Sequence, residues 1–221
     1  MTFLTLNRNA TIAALALGAL LVFFGKGLEG LFFLALLLYF LVLSAIVTAI
    51  GKSKKKQAKV FEESRGIKNV ASNGGWALVI AILFFIFGSS TNLIIFNVWF
   101  AAAVASITSD KFSSEIGVLD GIPVSIISLK KVKKGTSGGI TMLGTLSGLF
   151  GAFFISLAII PFSISAINAI ELMGIITFGG FIGTISDSIL GYFEEKGIGN
   201  KHTSNFFCSI IGSTCAAILM L

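Results

Sequence analysis

The residues best suited to chemistry in this 221-residue chain are carboxylates placed in apolar segments. Asp110 and Glu115 lie towards the polar end of one such segment, and Asp187 lies near the end of another. A carboxylate at the centre of a membrane-spanning helix costs roughly 2.5–3.5 kcal/mol, so residues of this kind are functional candidates. Hard oxygen ligands suit Mg²⁺, which usually takes one or two carboxylates together with substrate phosphates. The acidic residues therefore predict a site for a hydrated cation or a phosphate–metal complex.

Asp110 belongs to a polar stripe on its predicted helix. Residues spaced i, i+4, i+7, i+8 and i+11 share one helix face. This spacing collects Ser106, Asp110, Ser113, Ser114 and Gly117. Glu115 lies beside the stripe and shares a face with Lys111 at the i+4 spacing. Two interpretations stay open at this point: a cation site, or a Lys111–Glu115 ion pair with an aspartate near the membrane interface.

A basic, glycine-rich segment precedes a later apolar stretch. It reads Lys130-Lys131-Val132-Lys133-Lys134-Gly135-Thr136-Ser137-Gly138-Gly139. Glycines let the backbone approach an anion closely, the hydroxyls add donors, and free N–H groups of the following helix face the same loop. The segment is not a Walker A motif, because no Gly-Lys-[Ser/Thr] follows at the required spacing. It is either a phosphate cradle or a loop whose lysines only orient the chain in the membrane.

Asp187 lies in a stripe of small residues. The stripe consists of Gly180, Gly183, Thr184, Asp187 and Gly191. Small residues allow close helix packing, so we expect the glycines to be packing positions. We expect Asp187 to point into the bundle towards a polar helix. Such a face is offered in the last apolar segment by Asn205, Ser209 and Ser213, at i, i+4 and i+8.

Long apolar segments must position these groups. Apolar residues make up 55% of the chain and charged residues 12%, against roughly 25% charged in a soluble domain. The mean hydropathy is +0.98, and a helical span needs about 20 mostly apolar residues. Candidate spans lie at residues 10–24, 28–50, 74–89, 93–119, 140–160, 164–193 and 205–221. The sequence therefore predicts one all-α integral membrane domain over residues 1–221, a bundle of about seven transmembrane helices.

The connections between these segments alternate in charge. Basic residues gather at 51–73, 120–139 and 194–204, while the intervening connections hold one, Lys26. Seven crossings place all three basic loops on one side, and the positive-inside rule makes that side cytoplasmic. The N-terminus is then cytoplasmic and the C-terminus outside. We expect residues 52–59 to be a solvated, lipid-facing part of the first basic loop.

Composition also argues against several classes of protein. A single histidine and no cysteine pair at ligand spacing do not make a zinc site. Cys208 and Cys215 are two helical turns apart, too far for a disulfide, and are expected to pack as small apolar side chains. The net charge of +6 is expected to serve topology and the binding of phosphate or anionic lipid, and no nucleic acid partner is predicted.

Four motifs together resemble a known family of membrane proteins. They are Asn73-Gly74, Ser109-Asp110-Lys111-Phe112-Ser113-Ser114-Glu115-Ile116-Gly117, Lys133-Lys134-Gly135-Thr136-Ser137-Gly138-Gly139 and Asp187-Ser188-Ile189-Leu190-Gly191. From about Arg65 to the C-terminus the chain resembles the family of plant phytyl-phosphate kinase and its bacterial and archaeal relatives. That family is distantly similar to the CTP-dependent polyprenol and phytol kinases. The resemblance implies that phosphate passes from CTP to a prenyl monophosphate, phytyl or geranylgeranyl phosphate, giving the diphosphate.

The resemblance also implies roles for individual residues. Asp110, Glu115 and Asp187 would be catalytic carboxylates that hold Mg²⁺. The nucleotide phosphates would be bound by Lys130, Lys133, Lys134, Gly135, Thr136, Ser137, Gly138 and Gly139. Substrate contacts are expected from Arg65, Asn73, Ser114 and Asn205. Where the family usually reads Asp-Thr-Trp-Ala-Ser-Glu, this chain has Lys111 and Phe112 at the second and third positions. Lys111 would add a phosphate ligand or indicate a different donor or acceptor.

Two other functions fit part of the pattern. A transporter of a small ion or solute would use the aspartates as a proton or cation relay, although transporter sites lie near the midplane and not at one face. A structural scaffold would explain the glycine stripes but not the acids. We favour the kinase, with its active site on the cytoplasmic face of the cell membrane, or of an organelle membrane in a plant homologue. Association of copies stays open, because small-residue stripes serve packing within and between chains.

Overall fold

The computed structural model describes residues 6–61, 64–163 and 165–221, and these residues are almost entirely helical. The helices are α1 (Arg8–Gly25), α2 (Gly27–Ala49), α3 (Lys52–Gln57), α4 (Ile67–Phe87), α5 (Leu93–Gly117), α6 (Met142–Ser156), α7 (Ala166–Glu194) and α8 (Lys201–Leu219). A 3₁₀ turn over Leu157–Phe162 extends α6. The strands β1 (Val124–Ser125) and β2 (Gly139–Ile140) pair in the loop after α5, a hairpin that the sequence did not predict.

Within the described residues, six helices are long and apolar enough to cross a membrane: α1, α2, α4, α5, α6 with its 3₁₀ extension, and α7. Each corresponds to a predicted span, so the helical integral membrane fold is confirmed. The seventh predicted span is also a helix, α8, but its first turns carry Lys201, His202 and Asn205, which lower its hydropathy. The number of crossings, and with it the predicted orientation of both termini, stays a prediction.

The start of α4 differs from the prediction. The helix begins at Ile67 and not at residue 74, so Asn73 and Gly74 lie inside it and outside the loop. Hydropathy placed the start too late because the first turns of α4 are polar. A polar side chain in those turns finds a hydrogen-bond partner inside the protein, since the amide oxygen of Asn73 accepts a hydrogen bond from Asn205 of α8.

One further bound differs in the same way. α8 begins at Lys201, after Asn200, whose side chain caps the helix, and not at residue 205. The first basic loop contains the short helix α3. Residues 62 and 63 of this loop lie outside the described part of the chain. The predicted start of the sixth span, Ile164, also lies outside it.

α5 forms the centre of the bundle. It packs against α2, α4, α6, α7 and α8, and nearly every side chain from Phe96 to Ser109 is buried. Phe33 of α2 stacks on Phe100 of α5, with ring centroids 4.0 Å apart. α1 lies at the periphery against α2 and α4. Van der Waals packing of this kind drives helix association in a membrane, where lipid tails are as apolar as the side chains.

The glycine stripe of α7 lets three helices approach closely. A Cβ atom at Gly183 would lie 2.5 Å from Ser106 Oγ of α5 and 2.8 Å from the carbonyl oxygen of Cys208 in α8. The expected packing role of this stripe is therefore confirmed. Because Asp187 follows Gly183 by one turn on the same face, the packing directs its carboxylate to the meeting point of α5, α7 and α8.

Candidate active site

The ends of α5 and α7, the start of α8 and the loop after α5 line a polar cavity of about 360 Å³. We call it the polar cavity. Its walls contain most of the residues that the sequence singled out: Asp110, Ser114, Glu115, Lys134, Gly135, Thr136, Ser137, Gly138, Gly139, Asp187 and Asn205. These groups line one cavity because the C-terminal ends of α5 and α7 and the N-terminal end of α8 lie together in the bundle.

Asp110 of α5 and Asp187 of α7 form a carboxylate pair in the polar cavity. The two side chains lie within hydrogen-bonding reach of each other. Asp187 Oδ1 is buried, and no residue in the described ranges donates a hydrogen bond to it. Two adjacent carboxylates repel each other unless a proton or a cation is shared between them.

Charged neighbours complete the surroundings of this pair. Lys201 and Lys111 attract Asp110 electrostatically, while Glu194 repels it. Lys201 also attracts Asp187. The sequence interpretation missed Lys201, although a signal was available. Lys201 precedes Asn205 by one helical turn, and it extends the polar face of α8 that was recognised from Asn205 onwards.

The donor set of the pair fits Mg²⁺. It offers carboxylate oxygens from Asp110 and Asp187, including the unpartnered Oδ1 of Asp187, at the wall of a cavity large enough for a phosphate-bearing ligand. Mg²⁺ is commonly held by one or two carboxylates and by substrate phosphates, with water completing its shell. A two-carboxylate site of this kind needs no third protein ligand.

Glu115 is engaged by cations and does not join the aspartate pair. Its Oε2 accepts from Lys55 Nζ at 2.6 Å, and its Oε1 lies 3.4 Å from Arg65 and accepts from Thr48 Oγ1 at 2.9 Å. The Lys111–Glu115 ion pair anticipated from the i+4 spacing is also present. Within the described ranges, no three His, Cys, Asp or Glu side chains are grouped to hold a metal ion. The predicted set of Asp110, Glu115 and Asp187 is therefore not assembled there, because Glu115 projects from another face of α5.

The interpretation of residues 52–59 as a solvated, lipid-facing loop is wrong for Lys55. Its side chain is 1% exposed, and its ammonium donates to the carbonyls of Val47 and Thr48 at the end of α2 as well as to Glu115. Lys59 lines the polar cavity. Nothing in the local sequence distinguishes Lys55 from the neighbouring lysines, because its partner lies 60 residues away.

The glycine-rich loop is held against the end of α7. Gly138 has φ +74°, and a Cβ atom there would lie 2.6 Å from Ser188 O and 2.7 Å from Tyr192 N. Ser137 N donates to Glu195 Oε1 at 2.9 Å, and the backbone of Gly138 accepts from Ile126 N at 3.0 Å. The hairpin and α7 thus fix the loop where it forms one wall of the polar cavity.

Four of the predicted site residues lie outside the polar cavity. Lys130 and Lys133 are exposed on the loop and do not line the cavity. Arg65 and Asn73 line a separate apolar groove between α1, α2 and α4. Arg65 and Asn73 nevertheless border the polar cavity, because each forms a hydrogen bond to a residue of the cavity wall. Arg65 bonds to Glu115, and Asn73 bonds to Asn205.

Comparison with known proteins is consistent with this architecture. An uncharacterised membrane protein of Methanocaldococcus jannaschii is 37% identical over 216 residues, which cover 97% of this chain and 85% of that protein. Two Arabidopsis thaliana proteins are more distant. Protein PGR is 29% identical over 71% of this chain and 62% of its own length. Protein VTE6, chloroplastic, is 27% identical over 98% of this chain and 64% of its own length.

The chain thus spans less than two thirds of the length of both plant relatives. No solved structure matches the chain. The family model of integral membrane protein DUF92 matches residues 2–216, nearly the whole sequence. The chain therefore belongs to the DUF92 family of integral membrane proteins.

Proposed function

We propose that this protein is a prenyl-phosphate kinase that transfers a phosphoryl group from a nucleoside triphosphate, CTP by resemblance, to a prenyl monophosphate. One observation carries the proposal: the carboxylate pair of Asp110 and Asp187 lies in one cavity with a glycine-rich loop held against α7. Phosphoryl transfer is catalysed mainly by positioning and charge stabilisation, which such a cavity can supply.

Asp110 and Asp187 would hold Mg²⁺ in this function. A bound Mg²⁺ would neutralise charge on the transferring phosphate. The protein's own part is to keep both carboxylates adjacent, which the close contact of α7 with α5 at Gly183 achieves. Glu115 would act at a distance from the phosphates, by holding Lys111 and Lys55 in place.

The glycine-rich loop would bind the nucleotide phosphates. Residues 135–139 line the polar cavity, and Gly135 and Gly138 have positive φ angles, which glycine adopts without steric cost. Backbone without side chains can approach an anion closely, and the N–H groups of Gly135 and Gly138 would be the donors, because those of Thr136, Ser137 and Gly139 bond within the protein. Lys134 lines the same cavity, and its ammonium donates a hydrogen bond to the Val118 carbonyl. It would contribute positive charge beside the nucleotide phosphates.

The acceptor would enter the reaction as a phosphate dianion. A phosphomonoester has a second pKa near 6, so it is largely doubly ionised at neutral pH and needs no strong general base. One of its oxygens would attack the γ-phosphorus of the donor. A P–O bond forms to that phosphorus, the bond to the β–γ bridging oxygen breaks, and nucleoside diphosphate leaves. Lys111 and Lys201 are placed to offset the accumulated negative charge.

The motif resemblance to the phytyl-phosphate kinase family supports the choice of donor and acceptor. The polar cavity also lies at the end of the bundle that carries the basic connections, which supports an active site facing the cytoplasm. Lys130 and Lys133 would then act from outside the cavity, as surface charge that attracts the nucleotide.

Phosphate transfer by the purified protein in detergent tests the proposal. Labelled CTP or ATP, Mg²⁺, and either geranylgeranyl monophosphate or geranylgeraniol would be supplied. We expect diphosphate from the monophosphate, and loss of transfer in Asp110→Asn. Glu171→Gln is the matched control, because Glu171 is an exposed carboxylate away from the cavity. Transfer to the alcohol alone would make the protein a prenol kinase, and full turnover by Asp110→Asn would refute the assignment.

The carboxylate pair is also the feature that favours the alternative, an ion or solute transporter. Proteoliposomes distinguish the two functions. A kinase should show no proton or cation flux that depends on Asp110 and Asp187. Flux that disappears in Asp110→Asn, in protein that transfers no phosphate, would establish the transporter.

A further inference from the structure

A second cavity lies beside the polar cavity and has the opposite character. It is a shallow groove of about 60 Å³, open along one side, between α1, α2 and α4. Most of its lining is apolar, including Ala14, Leu17, Leu37, Phe40 and Leu41. We call it the apolar groove. From Leu34 to Leu41 its α2 wall is about 10 Å long at 1.5 Å per residue, and it runs along the membrane-spanning part of that helix.

Polar groups gather at one end of the apolar groove. Arg65 precedes α4, and Asn69 and Asn73 lie in the first two turns of that helix. Arg65 is held in place by Ser44 Oγ at 2.7 Å and Thr48 Oγ1 at 2.9 Å. An apolar groove that ends in a guanidinium and two amides matches a ligand with an apolar chain and an anionic head.

The polar end of the groove shares a wall with the polar cavity. Asn73 of the groove accepts a 2.9 Å hydrogen bond from Asn205 of the cavity, and Arg65 of the groove lies 3.4 Å from Glu115 of the cavity. The wall at these points is one side-chain pair thick. A head group at the end of the groove would therefore lie next to the cavity that contains the carboxylate pair.

We propose that the apolar groove binds the chain of an isoprenoid phosphomonoester, with the phosphate at Arg65, Asn69 and Asn73. This inference rests on the proposed function, because it assigns the acceptor of that reaction to a binding site. Entry of the phosphate into the polar cavity would require the Asn73–Asn205 hydrogen bond to open. The groove lies between membrane-spanning helices, so the chain would reach it from the bilayer without crossing water.

Photo-crosslinking tests the groove without depending on turnover. The probe is a geranylgeranyl monophosphate analogue with a diazirine on its chain, applied to the 221-residue chain in detergent. We expect adducts on the groove-lining residues of α1 and α2. Unlabelled geranylgeranyl monophosphate should suppress them, and an equimolar phospholipid should not. The same probe without its phosphate should label the groove roughly tenfold less, the effect of about 1.4 kcal/mol of lost binding free energy.

A matched pair of substitutions on α1 gives the control. Ala14 lines the groove, whereas Ala16 is exposed on another face of the same helix. Ala14→Phe should fill the groove and lower labelling roughly tenfold, and Ala16→Phe should leave it unchanged. The adduct positions in the unsubstituted protein decide the question even if Ala14→Phe does not fold.

The outcomes separate this inference from the proposed function. Adducts confined to other helices would overturn the groove site even if transfer is observed. Equal suppression of the adducts by phospholipid and by unlabelled geranylgeranyl monophosphate would overturn it as well. Labelling of the groove that needs the phosphate, in protein that transfers none, would keep the groove site and overturn the kinase.

Discussion

Asn205 Nδ2 donates a 2.9 Å hydrogen bond to Asn73 Oδ1, which joins α8 to α4 across 132 residues of sequence. Asn73 lines the apolar groove and Asn205 lines the polar cavity. The pair therefore forms part of the wall between a site suited to a lipid chain and a site suited to phosphates. Both residues were predicted as substrate contacts, and the structure adds that they contact each other.

A double-mutant cycle tests this pair. Asn73→Ala and Asn205→Ala should each destabilise the protein, and their coupling free energy should be about 1 kcal/mol, the usual net worth of one hydrogen bond. Thermal unfolding in a fixed detergent measures it. Additive effects of the two substitutions would show that the hydrogen bond makes no net contribution.

The carboxylate pair predicts opposite effects of one substitution on stability and on Mg²⁺ binding. Asp110→Asn removes one of two adjacent negative charges, so in Mg²⁺-free buffer we expect the unfolding temperature to rise by about 2–4 °C, as roughly 1 kcal/mol produces in a domain of this size. Mg²⁺ should stabilise the unsubstituted protein, because it binds the folded state, and should have little effect on Asp110→Asn. The Glu171→Gln control should respond to Mg²⁺ like the unsubstituted protein. Equal stabilisation of Asp110→Asn would place the metal elsewhere.

The contact between the glycine-rich loop and α7 predicts that Gly138 cannot carry a side chain. Alanine there would adopt a strained positive φ and place its Cβ 2.6 Å from Ser188 O, so the loop should move away from α7. We expect nucleotide affinity to fall roughly tenfold, a loss of about 1.4 kcal/mol, as measured by titration of CTP. Gly121→Ala is the control, since a Cβ at Gly121 meets no atom within 4 Å. Unchanged CTP affinity in Gly138→Ala would remove the loop from the nucleotide site.

The ion pairs of Glu115 predict that replacing Glu115 lowers the free energy of unfolding more than replacing Lys55 does. Glu115→Gln leaves both Lys55 and Lys111 without this carboxylate, and loss of one member of a buried ion pair costs roughly 3–5 kcal/mol. Lys55→Met should cost less, because Glu115 keeps Arg65 and Lys111. Unfolding in detergent gives both values. A larger loss for Lys55→Met would mean that its hydrogen bonds to the end of α2 matter more than the ion pair.

Much of the fold follows from sequence because membrane insertion depends on local composition. An apolar stretch of the right length identifies a span whatever its neighbours are, and helices occupy all seven predicted segments. Errors arose where polar residues are satisfied inside the protein. Asn73 and Asn205 bond to each other, so α4 and α8 begin before the apolar stretches that hydropathy recognises.

The same distinction between local composition and helix packing separates what could be predicted of the candidate site from what could not. A charged residue in an apolar segment is conspicuous by itself, so the sequence alone marked Asp110 and Asp187, and the glycine loop was marked by its composition. The helical repeat states which residues share a face, but not which helix that face meets. Only the packing around α5 decided that Asp110 faces Asp187, that Glu115 faces Lys55, and that Lys201 completes the cavity. These partners come from distant parts of the chain, and their pairing depends on how whole helices are rotated against one another.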